Sequence, residues 1–301
     1  MWQHLPEHLS PYILKTPWFN LHWYGFMYAV AYAAIYAVAV RRLVSERFNI
    51  TKDQLVGALL WSVLGLAIGA RLFYVLFYEP SYYFANPLMI VWPFGQDGSL
   101  AGIAGLSYHG GLIGIVIALL VYCRRKRIRA WELGDLLIPI IPLGFAFGRI
   151  GNFINGELFG RPADIPWGMY FPRDPTGSLR HPSQLYESLL EGFLLFIPLW
   201  FLRKRLKGPS MLGAYLIGYS AARFIAEFFR QPDPQLGLVL GPFSMGQVLS
   251  MLTFVAGFIV LAFPRERESA SPASMVGGAS ATEGSLGSRR VSLKKEETAE
   301  K

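Results

Sequence analysis

A few polar side chains interrupt an otherwise apolar chain: Arg71, His109, Arg149, Asn152, Glu187, Glu191, Arg223 and Glu227. Tyr219, Arg223, Glu227 and Arg230 fall at i, i+4, i+8 and i+11, along one helix face where they can line a cavity together. Arg149 and Asn152 are three apart and also share a face, with Gly148, Gly151 and Gly156 around them allowing close backbone approach or a helix break. Guanidinium and amide donors so placed suit a bound anion. His109 is followed by Gly110, Gly111 and Gly114, which give its imidazole little steric cover and make it a candidate acid or base. Each feature also has a structural reading. Arg71 reads equally as a helix-joining partner of Glu187 or Glu191, Glu191 as structural, Glu227 as the i−4 ion-pair partner of Arg223, and the glycines as small-residue helix packing. Of the stripe Tyr24, Tyr28, Tyr32 and Tyr36, Tyr24 alone lies at the depth of the other candidates; the rest read as helix contact or interfacial belt.

The elements that must position these groups are long apolar runs. Of 301 residues 53% are hydrophobic and 16% charged, against roughly a quarter charged in soluble domains; the mean hydropathy is +0.35. Runs at 21–40, 55–78, 102–122, 136–153, 182–202, 211–229 and 244–263 are each near the ~20 residues that cross a bilayer core, without the period of two of a barrel strand. The expected fold is an all-α integral membrane protein with seven transmembrane helices. The first run lacks a basic leader and a small-residue cleavage site, so it reads as a retained anchor. Lys and Arg cluster after runs one, three and five and are absent from 79–101, which predicts an N-terminus outside and a C-terminus in the cytoplasm. That orientation carries the ionisable residues toward the extracytoplasmic helix ends. The net charge of +8 is then a topology signal with affinity for anionic headgroups, and no argument for nucleic acid.

Residues 155–180 mix Gly, Pro and charge and read as a small extracytoplasmic cap within a membrane domain spanning 1–265. Residues 266–301 read as a disordered cytoplasmic tail. The single cysteine, Cys123, sits beside the basic run ending the third helix, has no intrachain disulfide partner, and reads as structural. Zinc-type His/Cys spacing, a Walker loop and a GxSxG elbow are missing from the sequence.

Taken in order, HWYG at 22–25, HGGLIG at 109–114, GRIGNFINGELFGR at 148–161, HPSQLYE at 181–187 and RFIAEFFRQP at 223–232 form a specific series. It resembles that of the bacterial phosphatidylglycerol:prolipoprotein diacylglyceryl transferases, over roughly residues 20–263. The resemblance implies transfer of a diacylglyceryl group from phosphatidylglycerol to the lipobox cysteine of a prolipoprotein, giving a thioether and glycerol phosphate, at the outer face of the bacterial inner membrane. It implies catalytic roles for His109, Arg149 and Arg223. Substrate contacts are implied for Arg149, Asn152 and Arg223, and less specifically for Tyr24, Asn155, Glu157, Gly160, Glu187 and Glu227. The partners implied are phosphatidylglycerol, the prolipoprotein lipobox segment and the bilayer, with no metal or cofactor; oligomeric state is left open. The chain departs from the family pattern in a long Gly-rich connection at 95–105 and in the tail beyond Arg265. The alternative is an anion or lipid transporter, which would need polar groups at several depths of the membrane.

Overall fold

The computed structural model describes residues 2–16, 20–92, 105–232 and 237–262. The 95–105 connection, apart from Gly105, and the 266–301 tail lie outside the described residues. The chain opens with a short helix α1 (Leu5–His8) and an antiparallel hairpin, β1 (Tyr12–Lys15) with β2 (Asn20–His22), that leads into the long helix α2 (Trp23–Ser45). There follow α3 (Lys52–Phe77), α4 (Pro80–Ala85), α5 (Tyr108–Lys126), α6 (Ala130–Leu137), α7 (Ile141–Ile154), α8 (Ser183–Glu187), α9 (Leu195–Leu202) and α10 (Pro209–Ala226). A small hairpin, β3 (Leu238–Leu240) with β4 (Phe243–Ser244), introduces α11 (Met245–Ala262).

Local chemistry explains the helix ends. Thr51 and Gln54 form a reciprocal capping box that satisfies orphan N–H groups at the start of α3. At the start of α5 the Ser107 hydroxyl accepts from the Gly110 N–H, and Arg124, Arg125 and Lys126 occupy its last turn, where positive charge meets the negative end of the helix dipole. Pro139 and Pro142 remove backbone donors between α6 and α7, and the chain tightens there into a 3-10 turn, Ile138–Ile140.

Among the described residues, six helices are long and apolar enough to cross a membrane: Trp23–Ser45, Lys52–Phe77, Tyr108–Lys126, Ala130–Ile154, Ser183–Leu202 and Met245–Ala262. The remaining expected run, 211–229, does fold as a helix, α10, but is not among the six. Its Tyr215, Tyr219, Ser220 and Arg223 dilute its hydropathy. Leu60, Leu64, Ile68, Phe201 and Leu252 stand exposed on outer faces, as suits helices whose solvent is lipid. The largest core cluster joins Leu55, Ala58, Tyr122, Cys123, Leu133, Leu136 and Ile140.

The α3–α5 crossing is a close glycine contact. A Cβ on Gly65 or Gly69 would collide with the carbonyls of Gly114 and Gly110. Gly110 and Gly114, which follow His109, therefore serve this helix packing.

Candidate active site

Three segments converge beside the predicted cap. The Ser183–Leu202 helix is α-helical at both ends and π-helical over Ser188–Leu194. Its wide turn is fitted to α7: the Ser188 hydroxyl donates to the Ala146 carbonyl at 3.0 Å, and Gly192 lies so close to Ala146 that a Cβ would collide with it. One consequence is that Glu187 and Glu191, both fully buried, reach the same guanidinium, that of Arg223 on α10, at 2.8 and 3.5 Å. π-helical turns are frequent at functional sites.

Glu187 is the hub. Its Oε2 also meets Nη2 of Arg149, from α7, at 2.9 Å. Arg223 continues the network through Nη2 to Glu227 Oε2 at 2.8 Å, while Glu227 Oε1 accepts from the Ser244 hydroxyl at 3.0 Å and Arg230 stands 3.9 Å away. Glu227 packs directly over Gly246, where a Cβ would meet its carboxylate at 2.6 Å. On the other side Arg149 Nη1 donates to Asn152 Oδ1 at 3.5 Å, Asn152 Nδ2 to Glu157 Oε1 at 2.9 Å, and Arg173 Nη1 to Glu157 Oε2 at 3.2 Å. The Gln184 amide fixes the Glu157 backbone carbonyl at 2.7 Å. A continuous polar chain thus runs from the cap through three helices, α7, the Ser183–Leu202 helix and α10, to Ser244 of β4. Buried charges of this kind are costly unless paired; here Arg149, Arg223 and Arg230 stand against Glu187, Glu191 and Glu227.

The two central arginines differ in what they have to spare. Arg223 is enclosed by three carboxylates. Arg149 has one strong ion pair and one long amide contact, stacks on Phe145 at 4.8 Å, and is 15% exposed. Arg149 is the cation able to take up a further anion.

The structure brings together Arg149, Asn152, Glu157, Glu187, Arg223 and Glu227 from the predicted set. Tyr24 adjoins them: its ring packs on Gly151 and its hydroxyl lies 3.0 Å from that of Tyr28. Asn155 faces a neighbouring cavity of about 460 Å³, shared with Arg173, His8 and Ser10, and its buried Oδ1 has no hydrogen-bond donor among the described residues. Gly160 sits at a crossing where its N–H donates to His181 and a side chain would collide with the Phe229 carbonyl, which is a packing role. His109 stands exposed in the first turn of α5.

Arg71 departs from the paired-helix expectation. It donates to the carbonyls of Met89, Ile90 and Gly105 and lies over the Tyr83 ring, so the bonds described here hold the loops beyond α3, and the arginine partners of the Glu187 carboxylate are Arg149 and Arg223. Sequence reasoning missed Arg173, which sits in a loop, Ser244, which ends the two-residue strand β4, and Tyr28, assigned to helix contact although it is near Arg149 and Glu157.

Arg149 and Asn152, both from the glycine-flanked run at 148–161, occupy the centre of this network beside Glu187 of the 181–187 motif. Residues 11–263 match the family model described as prolipoprotein diacylglyceryl transferase. The chain belongs to the prolipoprotein diacylglyceryl transferase family. A relative from Chlorobaculum tepidum, named phosphatidylglycerol–prolipoprotein diacylglyceryl transferase, is 46% identical over 270 residues, 88% of this chain and 93% of the relative. A Bordetella parapertussis protein of the same name is 45% identical over 251 residues, 83% and 93% of the two chains. Every residue of the polar network from Arg149 to Ser244 lies inside the segment matched by the diacylglyceryl transferase family.

Proposed function

We propose that this chain is a multi-pass membrane enzyme that transfers the diacylglyceryl group of phosphatidylglycerol to the lipobox cysteine thiol of a prolipoprotein, releasing glycerol phosphate. The observation that carries the reading is the convergence of Arg149 and Arg223 on one buried carboxylate, Glu187, at 2.9 and 2.8 Å within a bundle of membrane-length helices.

In this reaction the sulfur–carbon bond forms as the carbon–oxygen bond to phosphate breaks, and the electron pair leaves on the phosphate. Arg149, with donors to spare, holds the phosphodiester and offsets the charge that grows on the leaving group. Arg223 and Glu187 fix Arg149 before substrate arrives, so little reorganisation accompanies the chemical step. Asn152 and Glu157 hold the other side of Arg149 and link it to Arg173 at the cap. His109, with an exposed imidazole and no ion pair among the described residues, takes the thiol proton and passes it to solvent. A thiol with pKa near 8.5 is mostly protonated at neutral pH, so the attack needs such a base. Tyr24, Asn155, Gly160 and Glu227 shape and support the substrate site.

The reading includes a topology. α10 completes seven spans, the N-terminus lies outside, and the polar network faces the extracytoplasmic leaflet of the inner membrane, where lipid headgroup and exported precursor meet. The basic helix ends at 41–52, 124–129 and 203–207 support this orientation. Purified protein incubated with phosphatidylglycerol and a lipobox peptide should yield a thioether-linked diacylglyceryl peptide and glycerol phosphate; absence of both would overturn the proposal.

A further inference from the structure

At the far end of the bundle from Glu187, the last turns of α2 and α9 enclose a cavity of about 550 Å³ lined by Val38, Arg41, Ser45, Phe196, Trp200 and Arg203, with Arg42 and Glu46 at its base. Glu187 and Arg203 stand at opposite ends of one helix, about 24 Å apart at 1.5 Å per residue, so this cavity is separate from the active site.

The base is a built structure. Arg42, 1% exposed, donates Nη1 to the carbonyls of Leu136 at 2.6 Å and Asp135 at 2.9 Å and pairs through Nη2 with Glu46 at 2.8 Å. Arg203 Nε meets the other oxygen of Glu46 at 2.8 Å, and its guanidinium lies over the Trp200 ring at 3.6 Å. Burial raises the Glu46 pKa, and its bonds to Arg42 and Arg203 more than offset this and hold it below the ordinary carboxylate range. Glu46 therefore stays an anion that one cation could already balance. Three guanidiniums against one carboxylate leave two positive charges in the lining. Among the described residues Arg42 commits Nε, Nη1 and Nη2 to Glu46 and the two carbonyls, Arg203 makes no hydrogen bond from Nη2, and Arg41, exposed at the rim, makes no ion pair. Val38, Phe196 and Trp200 supply an apolar wall one turn deeper.

A cationic rim over an apolar wall, at the end of membrane-length helices, is complementary to one molecule class. We propose that this cavity is a second, non-catalytic lipid site that holds an anionic phospholipid of the leaflet opposite the active site, its phosphate on Arg41 and Arg203 and one acyl chain along Val38, Phe196 and Trp200. The bound lipid clamps α2 to the helix that carries Glu187 at its other end. Basic pockets between spanning helices are a recurrent mode of headgroup binding.

The test uses phosphatidic acid titrated onto the full-length protein in detergent, with retained lipid counted by native mass spectrometry. Wild type and Arg149→Ala should each retain a molecule with the same midpoint, whereas Arg41→Ala should shift that midpoint up about fivefold, the share expected of one basic side chain near a headgroup. Arg41→Lys should restore binding, phosphatidylcholine should not be retained, and millimolar inorganic phosphate should not displace the lipid. Arg41→Ala should keep its transferase turnover in detergent, which separates this site from the reaction. An unchanged midpoint in Arg41→Ala, loss of all retained lipid in Arg149→Ala, equal retention of phosphatidylcholine, or displacement by inorganic phosphate would each overturn the proposal.

Discussion

Glu187, at the end of α8, and Arg223, near the end of α10, meet at 2.8 Å with the carboxylate fully buried. The same oxygen holds Arg149, so one side chain balances two guanidiniums from two other helices. Such a hub orients its partners by geometry as well as charge. Breaking it leaves cations in a medium that cannot solvate them.

Glu187→Ala should therefore destabilise the bundle by about 3–5 kcal/mol, the range for removing one partner of a buried pair. Thermal unfolding in detergent measures the loss, and a double-mutant cycle with Arg149→Ala isolates the coupling. If the two losses simply add, the Arg149–Glu187 contact contributes nothing.

The close fit of the π-helical turn gives a second outcome. Gly192→Ala would place a methyl 2.5 Å from the Ala146 Cβ and 2.9 Å from its Cα, forcing α7 and the Glu187 helix apart at a cost of about 1–3 kcal/mol, as overpacking does elsewhere. Turnover should fall with stability, because Glu187 and Arg149 ride on the two displaced helices. Gly177→Ala, with no atom within 4 Å of the added methyl but at φ +59°, should change stability through backbone strain alone and leave turnover of the folded protein intact.

The helices were legible because apolar length is written directly in composition: runs at 55–78 and 244–263 became Lys52–Phe77 and Met245–Ala262. The shared depth of Arg149, Glu187 and Arg223 was legible because each interrupts a long apolar run, where chance placement of a charge is costly. Other features were not. The π-helical turn depends on how Ser188 and Gly192 meet Ala146, a tertiary fact with no local period. Arg71 donates to backbone carbonyls of Met89, Ile90 and Gly105, which no residue type announces. Arg173 reaches the network from a loop and Ser244 from the two-residue strand β4, and the N-terminal hairpin pairs Tyr12 with His22 across a segment too short to show alternation.

The cap has its own charge lock. Asp174 receives Nε and Nη2 of Arg180 at 2.6 and 2.8 Å, and Arg180 Nη1 also reaches Gln231 beyond α10. Burial alone would raise the Asp174 pKa; its bonds from Arg180 and Thr176 outweigh that and lower it from 3.8 to about 2. A depressed carboxylate contributes stability that is fully present above its unfolded pKa and lost as pH falls through the folded value. Cap stability should accordingly decline between about pH 4 and pH 2, read as protease cleavage or hydrogen exchange within 160–180. Asp174→Asn should lower cap protection at neutral pH and flatten that acid limb; an acid limb unchanged in the variant would assign it to other groups.

At the phosphate, charge and geometry can be separated. Lysine at Arg149 keeps a positive charge but gives up the planar fork that pairs two phosphate oxygens and also bridges Glu187 to Asn152. Arg149→Lys should insert and fold, with turnover down by about a hundredfold, and Arg149→Ala should be equal or worse. Arg223→Lys should lose activity as well, because a point-like ammonium does not reproduce the fork whose Nη1 meets Glu187 and whose Nη2 meets Glu227. Full turnover in Arg149→Lys would show that charge alone suffices.

The role of His109 is separable from that of Arg149 by pH. A glutamine there preserves hydrogen bonding and approximate shape but accepts no proton, so His109→Gln should bind phosphatidylglycerol as wild type does while the transfer step slows by about a hundredfold or more. The substrate thiol ionises unaided as pH approaches about 8.5, so the variant should recover part of its rate in that range, with log rate rising alongside the thiolate fraction. Arg149→Lys should show no such recovery, since its defect lies at the leaving phosphate and not at the thiol. Single-turnover transfer across pH, run beside lipid binding for both variants, distinguishes the two. If His109→Gln lost lipid binding and kept its transfer rate, or if Arg149→Lys recovered with pH as the histidine variant does, the assignment of proton acceptance to His109 and phosphate stabilisation to Arg149 would be wrong.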